Sequence, residues 1–392
     1  MRLAAWIVFA GVGLMATPAL GAPGAAAPVV GGTPTSDYPE VVALRSPLGP
    51  VFCTGTVIAP HVVLTAAHCL GETRTPAIEL AAQPGPTVPA IRAVAAIAHP
   101  EHDPTTLDHD LALLVTAAAL PVAPAAPLDA PPPGGLVGAT VTLVGYGLTA
   151  VGDTTPAERR VAQTPILEVD ANSFRFGPTP AQTCAGDSGG PAFIDVAGGR
   201  RLAGVTSSGD AACAAFAIDM RVDYYVAAFL APWLDRLHPG AAPAGARCYY
   251  EGHCGAGACA TPADGGFAYC AASCGGGAAC PDGQRCAAGT CQFDGPSPGA
   301  FGARCGDDAD CVSEVCATAP GATTGTCSAE CYPDGLACEV GACAAIDADT
   351  YRCFPADDGG CGVGRRPAAP VGVLVVALAR RRRRDRAAPR RR

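Results

Sequence analysis

Lysine is absent from this chain: all 26 basic residues are arginine. Aromatic residues make up only 6%, with two tryptophans. The two apolar runs near the chain ends are both shorter than the ~20 residues that a membrane-spanning helix needs. Arginine is also unevenly spread, with eleven residues (Arg365, Arg366 and nine from Arg380 onward) in the last 28 positions. Residues 3–364 therefore carry 14 arginines against 34 acidic residues. A body this acidic has no electrostatic footprint for nucleic acid, which is not expected as a partner.

Cysteine, in contrast, is abundant, with 21 residues. At 392 residues the chain has room for two or three domains, the first with a full core. Residues 1–21 read as an export signal: a charged start at Arg2, an apolar run to Ala16, then small residues around Ala19-Leu20-Gly21. Export and many cysteines together point to disulfides formed in an oxidising compartment. At the other end, residues 359–392 hold Gly359-Gly360-Cys361-Gly362, a short apolar segment from Ala368 to Ala379, and the arginine cluster. An apolar segment ending in arginines has the layout of a stop-transfer tail. It resembles the short C-terminal sorting tails of myxobacterial surface proteins, which implies processing near Cys361 and attachment at the outer surface.

The chemistry centres on Gly186-Asp187-Ser188-Gly189-Gly190-Pro191. A serine hydroxyl is a weak nucleophile until a base takes its proton, and acyl transfer needs donors aimed at the developing oxyanion. Glycines beside Ser188 leave the N–H groups of Gly186 and Ser188 free of steric cover. A histidine and a carboxylate precede the loop, in Thr65-Ala66-Ala67-His68-Cys69 and Asp108-His109-Asp110-Leu111-Ala112-Leu113-Leu114. With Val29-Val30-Gly31-Gly32, Cys53-Thr54-Gly55-Thr56-Val57-Ile58 and Gly145-Tyr146-Gly147, these stretches make residues 29–238 resemble the trypsin/chymotrypsin-like serine peptidases. The resemblance implies that His68 is the general base, that Asp110 orients it and that Ser188 is the nucleophile. Gly186 and Ser188 would form the oxyanion hole. It also implies two disulfides, Cys53–Cys69 and Cys184–Cys213.

The fold class expected is mainly β. Short apolar runs such as Val41–Leu44, Thr56–Ile58, His61–Leu64 and Val141–Val144 read as buried strands, and helical periodicity begins only at Tyr224 and runs to Leu237. The resemblance adds a double six-stranded antiparallel β-barrel closed by that C-terminal helix. Asp110 leads directly into an apolar strand and is preferred over Asp108, which reads as solvated. His61, His99, His102, His109 and His238 have loop or element-edge surroundings and read as surface residues.

Asp187 has a second role by resemblance: an ion pair with the ammonium of a new N-terminus at Val29, released from a short propeptide at residues 22–28. Pro28 is not basic, so the activating or trimming peptidase is not trypsin-like. The base of the primary specificity pocket falls on Gln182, and Ser207, Ser208 and Gly209 fall on the strand that binds substrate backbone. Without an acid at the base, arginine and lysine specificity is disfavoured.

A Pro/Gly/Ala-rich stretch at 239–247 reads as a linker. Beyond it, two units of eight cysteines (248–294 and 305–353) repeat with a period of 57 residues, Cys248 aligning with Cys305 and Gly-Ala-Arg preceding both. With few large apolar residues, such units rely on disulfides in place of a core, and eight cysteines leave 105 connectivities open. The units contain no Cys-x-x-Cys pair and only one histidine, His253, so no metal is expected; Asp307, Asp308 and Asp310 read as a solvated acidic turn. Cys361 is left over for the tail. The function expected is an exported or surface-attached serine endopeptidase acting on protein or peptide substrates without a cofactor. The alternative is an inert peptidase-like binding or structural surface protein.

Overall fold

A computed structural model describes residues 29–355, apart from short internal stretches at 47–48, 72, 74–75, 82, 86, 149–156, 178–180, 332–337, 339–340 and 348–349. The expected export signal, propeptide and tail, with Cys361, lie outside the described residues. After a short strand β1 (Thr33–Pro34) come β2 (Val41–Arg45), β3 (Val51–Ala59), β4 (Val62–Thr65), β5 (Ala77–Glu79), β6 (Ile91–Ala98) and β7 (Ala112–Thr116). They close into a six-stranded antiparallel barrel in the order β2-β3-β4-β7-β6-β5.

The unbroken apolar runs of β2, β4 and β7 are buried on both faces. Successive side chains of a strand point to opposite sides, so each run serves two cores. Val42, Leu44, Val63 and Leu114 fill the barrel, while Val41, Ala43, Val62, Leu64, Leu113 and Val115 face a second cluster shared with the rest of the domain.

The second barrel is formed by β8 (Thr140–Gly145), β9 (Arg160–Val169), β10 (Ser173–Phe176), β11 (Pro191–Val196), β12 (Gly199–Gly209) and β13 (Ala217–Arg221). The order is β9-β10-β13-β12-β11-β8, closed by pairing of β8 with β9, and β1 adds to β9. Its core holds Leu143, Ile166, Phe174, Phe176 and Ile194. The mainly-β, double-barrel architecture is thus as the sequence implied.

The closing helix starts at Val222, two residues before the expected start, and is not uniform. Helix α1 (Val222–Tyr225) passes through a wider turn, Val226–Leu230, into α2 (Ala231–Arg236). The Ala231 N–H reaches back to the Val226 carbonyl. Pro232 has no N–H to continue the ordinary ladder, and the widened turn just ahead of it accommodates that loss. Val222, Tyr225, Phe229 and Leu230 pack into the cluster shared with the first barrel.

Both cysteine-rich units have one connectivity. The pairs are Cys248–Cys259, Cys254–Cys270, Cys274–Cys286 and Cys280–Cys291 in the first, and Cys305–Cys316, Cys311–Cys327, Cys331–Cys343 and Cys338–Cys353 in the second. Each unit is two interleaved pairs in succession. In the acidic turn Asp310 accepts from the N–H groups of Gly306 and Asp307, and Asp308 from that of Cys316, so these carboxylates brace the loop.

The first unit rests on the barrels. Tyr250 stacks on His61 with ring centroids 3.7 Å apart, and its hydroxyl donates to the Leu237 carbonyl. His253 Nε2 donates to the Arg236 carbonyl over 2.8 Å. The 239–247 stretch bonds to the unit as well, through Gly240 to Gly252 and Ala242 to His253. His61 is therefore an interface residue rather than a surface one, because its flat ring offers Tyr250 a face to cover.

Peptide mapping without reduction should recover the interleaved pairs, and a Cys248–Cys254 linkage would contradict the fold. Replacing Cys254 and Cys270 with serine should cost the first unit roughly 2–5 kcal/mol. Hydrogen exchange should register this as lost protection within 248–294.

Candidate active site

His68 lies in a single helical turn, Ala67–Gly71, immediately after β4, and Asp110 immediately precedes the β7 run. β4 and β7 are antiparallel neighbours with Thr65 opposite Ala112, so the residues running off these strand ends meet. His68 Nδ1 donates to Asp110 Oδ2 over 2.7 Å, and the His68 backbone N–H donates to Oδ1 over 2.8 Å. The Ser207 hydroxyl adds a third bond to Oδ2 at 2.6 Å. The Cys53–Cys69 disulfide ties the His68 turn to β3. Asp110 is fully buried, whereas the His68 ring keeps 27% of its surface exposed. Burial alone would push the Asp110 carboxyl up, but the hydrogen bond and charge of His68 and the Ser207 hydroxyl outweigh it and hold it below the usual carboxylate range.

Ser188 sits in the loop leading into β11, braced by Cys184–Cys213. Gly186 and Gly189 have φ of +95° and +79°, a region that favours glycine. A Cβ on Gly189 would also lie 2.8 Å from the Ala66 nitrogen, so only glycine fits. Asp187 N–H donates to Cys184, Gly189 N–H to Thr206 and Gly190 N–H to Asp187. Among the described residues, the N–H groups of Gly186 and Ser188 have no acceptor. Thr54 on β3 holds the loop from the first barrel: its N–H donates to the Ser188 carbonyl over 2.8 Å and its hydroxyl to the Gly186 carbonyl over 2.8 Å. The sulfur of Cys69 lies 4.0 Å from His68 Nε2 and 3.7 Å from the Ser188 carbonyl oxygen. The free edge of the imidazole and the serine loop thus flank one sulfur atom.

Asp187 is buried and accepts from the N–H groups of Gly147, at 2.8 Å, and Cys184, at 2.9 Å. Burial pushes its carboxyl up to about 7 despite those two donors. Val29 is wholly buried within the core of the second barrel, and Val30 bridges to Gln182, whose N–H reaches the Val30 carbonyl at 3.2 Å. Gln182 itself is fully buried, and among the described residues neither end of its side-chain amide has a hydrogen-bond partner. Along β12, Ser207 turns inward to Asp110, Ser208 is half-buried and Gly209 is exposed.

The histidines need correction. His99 is buried and stacked on His109 with centroids 4.9 Å apart, and burial together with that neighbour lowers its basicity. His109 Nδ1 meets the Tyr225 hydroxyl at 3.2 Å, and His102 faces Asp110. The His99 and His109 rings pack against Tyr225, and His99 also against Phe229, and only His238 is exposed as expected.

Sequence reasoning also gave no role to Thr54 or Asp219. Asp219 stands opposite Thr206 in the β12–β13 register, fully buried, with neither carboxylate oxygen hydrogen-bonded among the described residues. Burial holds it well above the usual carboxylate range, and the charge of Asp187 reinforces this. An acid within Ala217-Ile218-Asp219-Met220 was the available signal.

Residues 29–229 match the family model described as Trypsin. The chain is 31% identical over 203 residues to a trypsin of Saccharopolyspora erythraea, covering 46% of this chain and 87% of that protein. A trypsin of Phaedon cochleariae is 30% identical over 184 residues, covering 41% of this chain and 70% of the relative. The chain belongs to the trypsin family. It is a serine endopeptidase, and its substrates are proteins. Serine protease 56 of Mus musculus is 31% identical over 212 residues, but only 34% of its length is matched. The trypsin match ends before the cysteine-rich units begin.

The buried Asp187 yields a pH-dependent prediction for protein that retains residues before Val29. Its carboxyl is raised in the fold, so the native state binds the extra proton, and the associated stability is present below about pH 4 and lost as pH rises through about 7. Chemical denaturation of wild type and Asp187→Asn should diverge over that window by about 4 kcal/mol. Parallel curves would show that the carboxylate has found a compensating charge.

Proposed function

We propose that this trypsin-family peptidase cleaves peptide bonds through Ser188, with His68 as general base and Asp110 as its positioning carboxylate. The observation that carries the reading is the His68 Nδ1–Asp110 Oδ2 bond at 2.7 Å, set beside a serine loop with two N–H groups that have no acceptor among the described residues. His68 Nε2 takes the Ser188 proton as Oγ attacks the scissile carbonyl carbon, and the oxyanion that forms is held by the N–H groups of Gly186 and Ser188. His68 then passes its proton to the leaving amine, and a water repeats the sequence on the acyl-enzyme. Asp110 stays ionised throughout, in keeping with the depressed proton affinity of its carboxyl.

Competence depends on a positive charge reaching Asp187. A buried carboxylate lacking a counter-charge is costly, and an ammonium released at Val29 would supply one. The burial of Val29 in the second barrel and the bridge from Val30 to Gln182 support a terminus seated there. Gln182, with Ser207, Ser208 and Gly209 at the end of β12, favours an uncharged residue before the scissile bond.

The ten described disulfides fit export, and attachment through the tail near Cys361 accounts for an arginine-rich end on an acidic protein. In this organisation residues 1–21 are the export signal, 22–28 the propeptide, 29–238 the peptidase domain, and 248–294 and 305–353 the repeats that hold it at the surface.

A fluorophosphonate should label Ser188 in protein beginning at Val29, and Ser188→Ala should abolish labelling. Asp110→Asn should lower kcat by about 10⁴-fold, since it leaves His68 with the wrong tautomer. Folded protein starting at Val29 that resists the probe would refute the assignment.

A further inference from the structure

The two N–H groups facing the site sit on peptides that are fixed from behind. In a trans peptide the N–H and C=O point in opposite directions, so a bond to the carbonyl aims the N–H. The Ala185 carbonyl, whose peptide carries the Gly186 N–H, accepts from the Leu148 N–H over 2.8 Å. The Asp187 carbonyl, whose peptide carries the Ser188 N–H, accepts from the Gly190 N–H over 2.8 Å. Between them lies the peptide joining Gly186 to Asp187. Its carbonyl accepts from the Thr54 hydroxyl over 2.8 Å, and its N–H donates to the Cys184 carbonyl over 3.0 Å. The same hydroxyl oxygen accepts from the Tyr146 N–H over 3.2 Å, on the segment that carries Leu148. Thr54 is wholly buried.

We infer that Thr54 is a positioning residue for the oxyanion hole, its hydroxyl holding the middle peptide so that the N–H groups of Gly186 and Ser188 converge. The inference rests on the role given above to those two groups. Gly186 has φ of +95° and no side chain, so little steric resistance opposes rotation of the peptide that follows it. The hydrogen bond from Thr54 supplies the missing restraint, and through Tyr146 it restrains the segment that aims the Gly186 N–H as well. Donors stabilise an oxyanion best when they already point at the place where it forms. Thr54 touches no reacting atom, and its effect falls on the transition state rather than on initial binding.

The Thr54 methyl offers a packing alternative, since a Cβ added to Gly190 would lie 3.1 Å from Thr54 Cγ2. The two halves of the side chain can be separated. Thr54→Ser keeps the hydroxyl and removes the methyl, whereas Thr54→Val keeps the shape and removes the hydroxyl. The bond from the Thr54 backbone N–H to the Ser188 carbonyl is available in every variant.

The test is saturation kinetics of fluorophosphonate labelling on protein beginning at Val29. The rate at saturation, kinact, reports attack by Ser188, KI reports initial binding, and the final labelled fraction counts folded sites. Thr54→Val should lower kinact by about tenfold while KI stays within about twofold, because one buried hydroxyl serves two hydrogen bonds. Thr54→Ser should keep kinact within about threefold of wild type, since the hydroxyl is retained. Thr54→Ala, which makes no steric demand, should show the same loss as Thr54→Val, so the outcome does not hang on one variant folding. Wild-type kinact in the valine and alanine variants, with or without a smaller labelled fraction, overturns the role of Thr54. A serine variant as slow as the valine one assigns the effect to the methyl and overturns it too. Wild type that is not labelled at all overturns the Ser188 assignment instead, and this inference with it.

Discussion

Thr54 joins the halves of this protein. From β3 of the first barrel its N–H and hydroxyl hold the carbonyls of Ser188 and Gly186, on either side of Asp187. The same hydroxyl accepts from the Tyr146 N–H at 3.2 Å, and the Thr54 carbonyl accepts from the Thr65 hydroxyl at 2.8 Å. One small side chain thus fixes the serine loop relative to β4, the strand that delivers His68. Breaking such a node leaves several buried polar groups unpaired, which costs more than any single bond contributes.

The buried acids are resolved in opposite ways. Asp110 is surrounded by donors on both oxygens and stays charged at small cost. Asp187 has two backbone donors and no counter-charge among the described residues, and Asp219 has no hydrogen-bond partner among them. The two barrels therefore differ in electrostatic state: the first holds a carboxylate kept below its usual range by His68 and Ser207, while burial raises both Asp187 and Asp219 in the second. This asymmetry underlies the proposal that competence depends on a chain end at Val29.

The first cysteine-rich unit is held by stacking and by hydrogen bonds to the closing helix, not by covalent tether alone. Leu237 and Arg236 present carbonyls at the end of α2, where no further helical turn would use them, and Tyr250 and His253 satisfy these groups. A unit mounted in this way moves with the barrels as one piece at that contact.

Much of this was legible in the chain. The apolar strand runs, the loop around Ser188, the preference for Asp110 over Asp108 and the periodicity of the repeats are local patterns, and local patterns survive in one dimension. The histidines around Asp110 were misjudged because ring packing against a helix more than 100 residues away leaves no local mark, and Thr54 passed unnoticed for the same reason. Disulfide connectivity is likewise a matter of which strands lie side by side, not of spacing. The sequence by itself determined the elements and the chemical groups that could react. Only the tertiary structure decided which carboxylate is satisfied and which is not, because burial and donor geometry are set where distant strands converge.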